Sequence, residues 1–320
     1  MGYTDNYDDW RNIVGTNFSD CMYTNCVVES FDHDVVKYAD ILIFMDRFFQ
    51  KFPQVSSEIR QRQYWVVTTA ESSAYSHNRW QSSYDNKFNI TATHRPSSIL
   101  PSGGVSDGWL LQAKSPLSAP IDYATNKTRG AVAYISNCNS VGYDRLRLIE
   151  ALRRFIPVDL FGGCGVPPAC HDEICEKKLH HQYRFYLSFE NSLCDGYISE
   201  KFWSRLSEDS YFIPIAMGGL SVDDYLRYAP PNSFLHVYNF TSINSLGKYL
   251  NRLMSHNELY NSFHKWRETY ELKSVGRPNR CELCRLANEK PFLPALPAAS
   301  AWWNDPKACR SYNLLGTNSQ

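Results

Sequence analysis

The residues around Lys201 have the types and the order of a phosphate-binding site. Residues 183–189 alternate aromatic and aliphatic side chains, which predicts a buried strand. The polar residues 190–192 follow, and Ser199 then has the position of an N-cap before a helix that begins at Glu200. Free backbone N–H groups and the helix dipole favour a phosphate at such a helix start. Lys201 would oppose the dipole there unless a negative ligand is bound, although an ordinary helix start that carries a lysine is the alternative.

Strands and helices alternate through the second half of the chain, and this alternation predicts how the site is held. A phosphate site that follows a strand, in a chain where strands and helices alternate, indicates a parallel, Rossmann-like sheet. The first half shows two buried strands and then a loop-rich region over residues 72–128. The predicted strands cover residues 39–44, 64–69, 131–135, 158–161, 183–189, 211–215 and 234–238, and the predicted helices cover residues 144–155 and 242–272, with shorter helices after Ser199 and Ser221.

The composition limits the class of protein. A chain of 320 residues with 43% hydrophobic residues is long enough for two domains with their own cores. The 33 basic and 33 acidic residues balance, and no basic stripe stands out, which argues against a nucleic-acid partner. No apolar run approaches the roughly 18 residues of a transmembrane helix, and residues 1–10 do not resemble a signal peptide. Ten cysteines are typical of a protein from an oxidising lumen.

Residues 183–203 resemble the donor-binding motif of the α1,3-fucosyltransferases of glycosyltransferase family 10. They read Tyr-Arg-Phe-Tyr-Leu-Ser-Phe-Glu-Asn-Ser, then Leu-Cys-Asp-Gly, then Tyr-Ile-Ser-Glu-Lys-Phe-Trp. Many members have Asp directly before the second Tyr segment, where this chain has Gly196, and a glycine frees the backbone of that loop. The resemblance extends over roughly residues 21–290, with further matches at residues 136–137, 158–162 and 234–237 and at the C-terminal Cys-x-x-Cys.

The resemblance implies a fold and a division of the chain. The expected fold is α/β and GT-B-like, with two Rossmann-like domains facing across a cleft. Residues 1–127 would form an N-terminal acceptor-side domain, and residues 128–275 would form a C-terminal domain that binds GDP-fucose. Residues 276–320 would form a cysteine-containing tail that packs back on the core. Within this tail, Trp302 and Trp303 are expected to pack onto a groove rather than to serve as a sugar platform.

The resemblance also implies an activity, the inverting transfer of fucose from GDP-β-L-fucose to a GlcNAc hydroxyl of a glycoprotein N-glycan. Glu71 matches the family's catalytic base, although Ser73 stands where the family has Pro. Arg145 and Lys201 would together neutralise the departing diphosphate, so no metal cofactor is required and Mn2+ is only a non-essential stimulator. The other positions that match the family's donor-binding residues are Asn137, Asn191, Tyr197 and Glu200.

These roles have simpler alternatives. Glu200 would bind the ribose hydroxyls and Tyr197 would pack on the nucleotide, whereas Glu190 could equally be a structural residue that braces the loop. Glu71 could be a surface glutamate after a strand, and Arg145 could be an ordinary solvated arginine.

The place of action and the acceptor are also implied by the resemblance. Members of the family are usually single-pass Golgi proteins, which implies an enzyme of the Golgi lumen whose N-terminal membrane anchor is missing from this chain. The acceptor stays open between outer N-acetyllactosamine-type antennae and the innermost GlcNAc of an N-glycan. Glycosylation sequons agree with a lumenal chain, although roughly three would arise by chance. The sequons begin at Asn17, Asn89, Asn126 and Asn239.

The cysteines could form zinc sites or disulfides. Residues 164–180 crowd Cys164, Cys170, His171, Cys175 and His180 together, but their spacing is not that of a zinc finger. Disulfides are therefore favoured, and the resemblance implies that the C-terminal pair bridges to the N-terminal pair. We expect Cys21 and Cys26 to pair with Cys281 and Cys284, and Cys164, Cys170, Cys175 and Cys194 to pair among themselves around the donor loop, while Cys138 and Cys309 are unassigned.

Two other functions compete with an active fucosyltransferase. A metal-dependent glycosyltransferase of other specificity would need an Asp-x-Asp motif, and Asp32-His33-Asp34 has those residue types but precedes the first clear strand. A catalytically inactive homologue could keep the pocket for a nucleotide sugar or a glycan and lack turnover. The orientation of Glu71 towards Lys201 and Arg145 would distinguish an enzyme from a binding protein.

Overall fold

A computed structural model of the chain describes residues 17–29, 34–46, 51–76, 80–100, 109–115, 120–167, 173–207, 211–274 and 279–312. These residues form two compact units. The first contains the described residues up to 100 together with residues 279–308, and the second contains residues 109–274 together with residues 309–312. Among the described helices, none is both long and apolar enough to span a membrane.

The first unit is built around a parallel sheet of three strands. Its elements up to residue 92 are α1 (Val35–Tyr38), β1 (Ile41–Met45), α2 (Ser57–Arg62), β2 (Tyr64–Thr68) and β3 (Ile90–Ala92). The strand order is β1-β2-β3, and every residue of the central strand β2 is buried, as is typical of a parallel strand covered on both faces. The two strands predicted in this half of the chain are confirmed.

The second unit contains a parallel sheet of five strands. Its elements up to residue 236 are β4 (Trp109–Ala113), β5 (Arg129–Tyr134), α3 (Arg145–Leu152), β6 (Val158–Phe161), α4 (Glu173–His180), β7 (Tyr183–Phe189), α5 (Glu200–Ser207), β8 (Ile213–Met217), α6 (Val222–Leu226) and β9 (Leu235–His236). The five-stranded sheet has the order β6-β5-β7-β8-β9, so the order reverses between β5 and β7. This doubly wound arrangement confirms the predicted Rossmann-like sheet, and ligands bind such sheets at the carboxyl ends of the strands where the order reverses.

The end of the second unit differs from its prediction. Residues 242–272 were expected to be helical, but the helices are α7 (Ile243–Ser255) and α8 (Asn257–Ser262), and the chain then forms β10 (Tyr270–Ser274). β10 pairs antiparallel with β4, and this pairing with a strand distant in sequence overrides the local helical pattern. The same pairing places residues 109–115 in the second unit, so the division of the chain lies before β4 rather than at residue 127.

The tail is divided between the two units. Its helices α9 (Asn279–Glu289) and α10 (Ala299–Trp303) belong to the first unit, whereas residues 309–312 belong to the second. Disulfides join Cys21 to Cys281 and Cys26 to Cys284, which confirms the expected pairing of the N-terminal and C-terminal cysteines. Trp303 is buried and stacks on Trp80 with 4.8 Å between ring centroids, so the tail packs on the first unit as expected.

Candidate functional site

The loops that follow β5 and β7 are joined where the strand order of the second unit reverses. The N–H of Val141 donates to the oxygen of Asn191 at 2.8 Å, and the N–H of Leu193 donates to the oxygen of Val141 at 3.3 Å. A parallel bridge between Val141 and Ser192 results from these two bonds. The structure thus brings together the loop that carries Asn137 and the loop that carries Asn191, at the edge where ligands bind in doubly wound sheets.

Lys201 lies at the start of α5, as predicted. The Oγ of Ser199 accepts from the backbone N–H of Lys201 at 3.4 Å, which makes Ser199 the N-cap. The same Oγ accepts from the Nζ of Lys201 at 3.2 Å, and an oxygen of Glu200 accepts from this Nζ at 3.0 Å. Ser188, near the end of β7, donates from its Oγ to the backbone oxygen of Lys201 at 2.9 Å. The predicted strand, polar loop and helix start are therefore confirmed.

The electrostatic surroundings keep Lys201 charged. Partial burial opposes the charge, but the carboxylates of Glu200 and Glu190 more than offset this effect and raise the pKa of Lys201 above its ordinary value. The Lys201 side chain is 25% exposed and that of Glu200 is 73% exposed. An ammonium group thus lies at a partly open helix start, where the helix dipole also favours negative charge, and this combination suits an anion.

Arg145 lies in a different environment from the one expected. It is only 2% exposed, and its guanidinium donates to the backbone oxygen of Phe189 at 3.4 Å and to that of Asn137. The guanidinium therefore braces the ends of the loops after β5 and β7 rather than presenting an open cation. The helix pattern explains this placement, because Arg145 shares the buried face of α3 with Leu148, Ile149 and Leu152.

The remaining donor-binding candidates differ in their exposure. Asn137 is exposed and Asn191 is half-buried, so both amides are placed where a ligand at the strand ends could be bound. Tyr197 is buried, which leaves little of its ring for the expected packing on a nucleotide. Gly196 has a φ of 75°, in the left-handed region that glycine adopts without steric cost. The departure from the family pattern at this residue therefore suits the shape of the loop.

Glu190 is a buried acid beneath the same loop. One of its carboxyl oxygens accepts from the backbone N–H of Ser199 at 2.8 Å, and its backbone oxygen accepts from the hydroxyl of Tyr143 at 2.6 Å. Burial raises the pKa of Glu190 to about 7, against the opposing effect of Lys201 and of the bond from Ser199. These contacts agree with a residue that braces the loop.

The disulfides of the second unit correct the expected pairing. Cys194 pairs with Cys309 and Cys138 pairs with Cys164, whereas Cys164 and Cys194 were expected to pair within a group of four. Cys138 and Cys164 follow the adjacent strands β5 and β6, whose carboxyl ends lie side by side. Cys170 and the side chain of Cys175 lie outside the described part of the chain.

Residues 309–312 contact the loops of the site, a contact that no sequence pattern predicts. The N–H of Arg310 donates to the oxygen of Leu193 at 2.9 Å, and its guanidinium donates to the oxygen of Gly219. The N–H of Tyr312 donates to the oxygen of Gly142 at 2.7 Å. The segment therefore holds the loops after β5, β7 and β8, and the disulfide at Cys309 fixes it there.

Glu71 belongs to the first unit. It follows β2 by three residues, is half-buried, and its backbone N–H donates to the Oγ1 of Thr69 at 3.2 Å. It therefore lies at the carboxyl edge of the three-stranded sheet, as its sequence position predicted. Asp46 follows β1 at the same edge, and burial raises the pKa of this acid to about 7 against the opposing hydrogen bond from Trp80.

The metal alternatives gain no support from the described residues. Asp32 and His33 lie outside them. Asp20, Cys21 and Cys281 are the one described group close enough to hold an ion, and its two cysteines form a disulfide. The zinc interpretation of residues 164–180 fails for Cys164, which is in a disulfide. The Nε2 of His180, another residue of this group, lies within hydrogen-bond distance of the Tyr134 hydroxyl, at 3.1 Å.

The four sequon asparagines also differ in environment. Asn17, Asn126 and Asn239 are exposed. The Nδ2 of Asn89, the atom that would carry a glycan, instead donates to the oxygen of Leu293 at 2.8 Å, while its Oδ1 accepts from the N–H of Trp65 at 3.0 Å. Asn89 is thus a structural residue in the fold, and only the other three present an open amide.

Comparison with known proteins identifies related chains. Residues 124–302 match the family model described as glycosyltransferase family 10 (fucosyltransferase) C-term. Glycoprotein 3-alpha-L-fucosyltransferase A of Drosophila melanogaster is 33% identical over 226 residues, which are 69% of this chain and 44% of that protein. Alpha-(1,3)-fucosyltransferase fut-1 of Caenorhabditis elegans is 30% identical over 208 residues, which are 60% of this chain and 47% of that protein. The chain thus spans about half the length of these two relatives.

The chain matches a larger fraction of a human relative, and a solved structure has a similar fold. The human 4-galactosyl-N-acetylglucosaminide 3-alpha-L-fucosyltransferase FUT6 is 32% identical over 252 residues, which are 77% of this chain and 66% of that protein. A crystal structure of an alpha1,3-fucosyltransferase with GDP has a TM-score of 0.52 at 17% identity and covers 80% of this chain and 79% of that chain. At this identity the likeness shows the fold, which is α/β and GT-B-like.

Proposed function

The chain belongs to glycosyltransferase family 10, the fucosyltransferases, and on that premise we propose that it is an inverting α1,3-fucosyltransferase. The donor is GDP-β-L-fucose and the acceptor is a GlcNAc hydroxyl of a glycoprotein glycan. The observation that carries this proposal is the position of Lys201, a charged lysine at the start of α5 where the strand order reverses. The names of the relatives, among them a glycoprotein 3-alpha-L-fucosyltransferase, support the substrate class.

The donor site would use the loops after β5 and β7. The ammonium of Lys201, with the dipole of α5 behind it, would neutralise the diphosphate as the bond to fucose breaks. The exposed carboxylate of Glu200 suits the paired hydroxyls of the ribose, and Asn137 and Asn191 would add polar contacts from the two loops. Arg145 would support this site by holding the carbonyls of both loops, since its guanidinium is buried beneath them.

The chemical step is a single displacement. Glu71 would take the proton of the acceptor hydroxyl, whose oxygen forms a bond to C1 of fucose while the bond from C1 to the diphosphate oxygen breaks and GDP leaves. One displacement inverts the configuration at C1, from the β-linked donor to the α-linked product. In this scheme a lysine does the electrostatic work that a divalent ion does elsewhere, and Mn2+ would be a non-essential stimulator.

The disulfides support a lumenal site of action. Four disulfides are present in the described part of the chain, two in each unit. Such bonds persist in oxidising compartments and are rare in the cytosol. They support an oxidising lumen as the site of action, and within that class of compartment we propose the Golgi lumen, with the glycan of a glycoprotein as the partner.

One observation favours a second candidate, a homologue that binds a nucleotide sugar without turnover. Arg145, expected to share the charge of the leaving group, is buried and bonded to carbonyl oxygens. Turnover then depends on Lys201 and the start of α5 for the leaving group, which a binding protein would also possess.

The experiment is turnover of GDP-fucose by the full chain against a panel of defined glycans, with GDP release and a mass increase of one deoxyhexose as readouts. We expect transfer to a GlcNAc-containing acceptor in an α1,3 linkage. Lys201→Ala should abolish GDP-fucose binding in calorimetry, while Lys248→Ala on the exposed face of α7 should not change it. Binding without transfer to any glycan would favour the second candidate, and absence of binding would contradict both.

A further inference from the structure

Glu190 connects the end of β7 to the start of α5 through a buried carboxyl group. Its backbone N–H donates to the oxygen of Met217 at 3.0 Å, and its backbone oxygen accepts from Tyr143 at 2.6 Å, so its main chain is fixed on both sides. The side chain is 0% exposed and reaches nine residues ahead to accept from the N–H of Ser199 at 2.8 Å. Ser199 is the residue that caps α5 and holds the ammonium of Lys201.

The other carboxyl oxygen of Glu190 and the hydroxyl of Tyr225 are two buried polar groups of the same region. Neither this Oε2 nor the hydroxyl of Tyr225 has a hydrogen-bond partner among the residues that the structure describes, and both side chains are buried. Both lie against Gly218, where an added Cβ would come within 2.9 Å of the Tyr225 hydroxyl and 3.3 Å of the Cγ of Glu190. The glycine therefore lets this polar pair lie directly beneath the loop, because any side chain there would displace it.

The charged and titratable groups around Glu190 come from four places in the unit. Lys201 and Glu200 face it from α5, Tyr225 faces it from α6, and Tyr143 interacts with it from the loop before α3. Tyr238 lies nearby, where it interacts with both tyrosines. Arg145 is a second cation beside this group, since it acts on Tyr143 and donates to the oxygen of Phe189, whereas Lys201 is the cation that acts on Glu190 itself. A negative charge on Glu190 would therefore compete with a bound diphosphate for the same ammonium.

We propose that Glu190 is a positioning residue, whose carboxyl group accepts the hydrogen bond from the N–H of Ser199 and thereby sets the start of α5 and the ammonium of Lys201 for the donor. This inference rests on the proposed function, since it assigns Glu190 to the binding of GDP-fucose. It differs from a role as a catalytic charge, for which the amide of glutamine could not substitute. It also differs from a purely structural role, which would not change donor affinity in the folded protein.

Because the pKa of Glu190 is about 7, donor affinity should depend on pH near neutrality. As the pH rises through 7, the buried carboxyl ionises and draws Lys201 towards itself, which weakens the attraction of the ammonium for the diphosphate. GDP-fucose is the suitable probe, because its esterified diphosphate has no group that titrates near neutral pH. Its affinity for the wild-type chain should fall across this range.

The experiment compares Glu190→Gln with Glu190→Leu in the full chain. The amide oxygen of glutamine can accept from Ser199, so this variant should keep its affinity for GDP-fucose within about threefold and lose the change with pH. Leucine cannot accept, and a misplaced Lys201 should weaken GDP-fucose binding by about tenfold or more. Equal loss in both variants, or no loss in Glu190→Leu at a temperature where it is folded, would overturn the proposal.

A second readout separates this inference from the proposed function. Hydrogen exchange of the Ser199 amide should speed up in Glu190→Leu and stay close to wild type in Glu190→Gln, whether or not a donor is present. Asp46→Leu is the matched control, because it removes a buried acid of similar pKa from the first unit and should leave this amide and donor affinity unchanged. If the wild-type chain does not bind GDP-fucose, the proposed function fails, and a role of Glu190 in donor binding fails with it. If the hydrogen-exchange rate of the Ser199 amide is unchanged in Glu190→Leu, only the positioning role is overturned.

Discussion

The Oγ of Ser199 accepts hydrogen bonds from both the backbone N–H and the Nζ of Lys201, at 3.4 and 3.2 Å. One hydroxyl therefore caps α5 and orients the cation that we assign to the diphosphate. The N-cap role is ordinary, since serine is among the preferred residues at this position. The bond from the ammonium of Lys201 is a second role of the same hydroxyl, in addition to capping.

Ser199→Ala should reduce stability and donor affinity together. Loss of the cap costs about 1 kcal/mol, and the released ammonium should weaken GDP-fucose binding several-fold in calorimetry. Ser242→Ala is the control, because Ser242 caps α7 by the same type of bond and holds no cation. Equal donor affinity in the two variants would contradict the orienting role, and Ser199→Thr should restore both properties.

Substitutions of Arg145 test whether donor binding depends on the geometry of its guanidinium or on its positive charge. Its planar guanidinium reaches the carbonyl oxygens of Asn137 and Phe189, and a lysine would keep the charge but not this geometry. Arg145→Lys should therefore lose donor affinity almost as fully as Arg145→Met, with a fall in the free energy of unfolding of roughly 1–3 kcal/mol from the unpaired carbonyls. Arg147→Lys at the exposed neighbour is the control. If Arg145→Lys binds GDP-fucose like the wild type while Arg145→Met does not, direct contact with the diphosphate is the better explanation.

The case of Arg145 also shows which parts of the site the sequence could predict. The order of strand, polar loop and capped helix around Lys201 is local, and the sequence predicted it because each step depends on neighbouring residues. The burial of Arg145 was also predictable in principle, since it lies three, four and seven residues before Leu148, Ile149 and Leu152 on one helix face. The resemblance to phosphate-binding arginines predicts a role for its charge, whereas the periodicity of α3 places the side chain on the buried face.

Other parts depend on contacts between distant residues, which no local pattern records. The pairing of Cys194 with Cys309 requires the last described residues to return to the donor loop, 115 residues away in sequence. The strand β10 exists because β4 lies beside it, although its own residues continue a helical pattern. In both cases the deciding partner is far away in the chain, and nothing in the flanking residues identifies it.

The Cys194–Cys309 disulfide should stabilise the second unit and the donor loop. It closes a loop of 115 residues, for which the chain-entropy model gives about 5 kcal/mol, whereas the loop of 26 residues between Cys138 and Cys164 gives about 3.5 kcal/mol. The double variant Cys194→Ser with Cys309→Ser should therefore unfold at lower urea than the double variant Cys138→Ser with Cys164→Ser. Because Arg310 is bonded to Leu193, the first variant should also bind GDP-fucose more weakly at a urea concentration where it is folded. The reverse order of stability would contradict this entropic account.

His236 should make the protein sensitive to acid. It is buried, its Nδ1 accepts from the N–H of Tyr238 at 3.2 Å, and burial lowers its pKa to about 4, against 6.5 for a free histidine. The unfolded chain then binds more protons than the folded chain between pH 6.5 and 4, so stability falls as the pH falls through this range, by up to about 3 kcal/mol.

Glu190 acts in the opposite direction, because its pKa is raised from 4.5 to about 7 and the folded chain binds more protons there. The pH dependence of the free energy of unfolding in the wild type therefore does not isolate His236, and the test compares variants with the wild type. His236→Gln should lose less stability than the wild type between pH 6.5 and 4, in urea unfolding followed by fluorescence. His181→Gln, at an exposed residue, should follow the wild-type profile. Parallel curves for His236→Gln and the wild type would show that burial of this imidazole does not govern acid sensitivity.

Glu71 gives the prediction that separates an enzyme from a binding protein. A general base acts only on the acceptor hydroxyl, so Glu71→Gln should bind GDP-fucose like the wild type and lose transfer by roughly 100-fold or more. The matched control is Glu58→Gln, at an exposed glutamate of α2 in the same unit, which should keep both properties. Full turnover in Glu71→Gln would exclude this residue as the base.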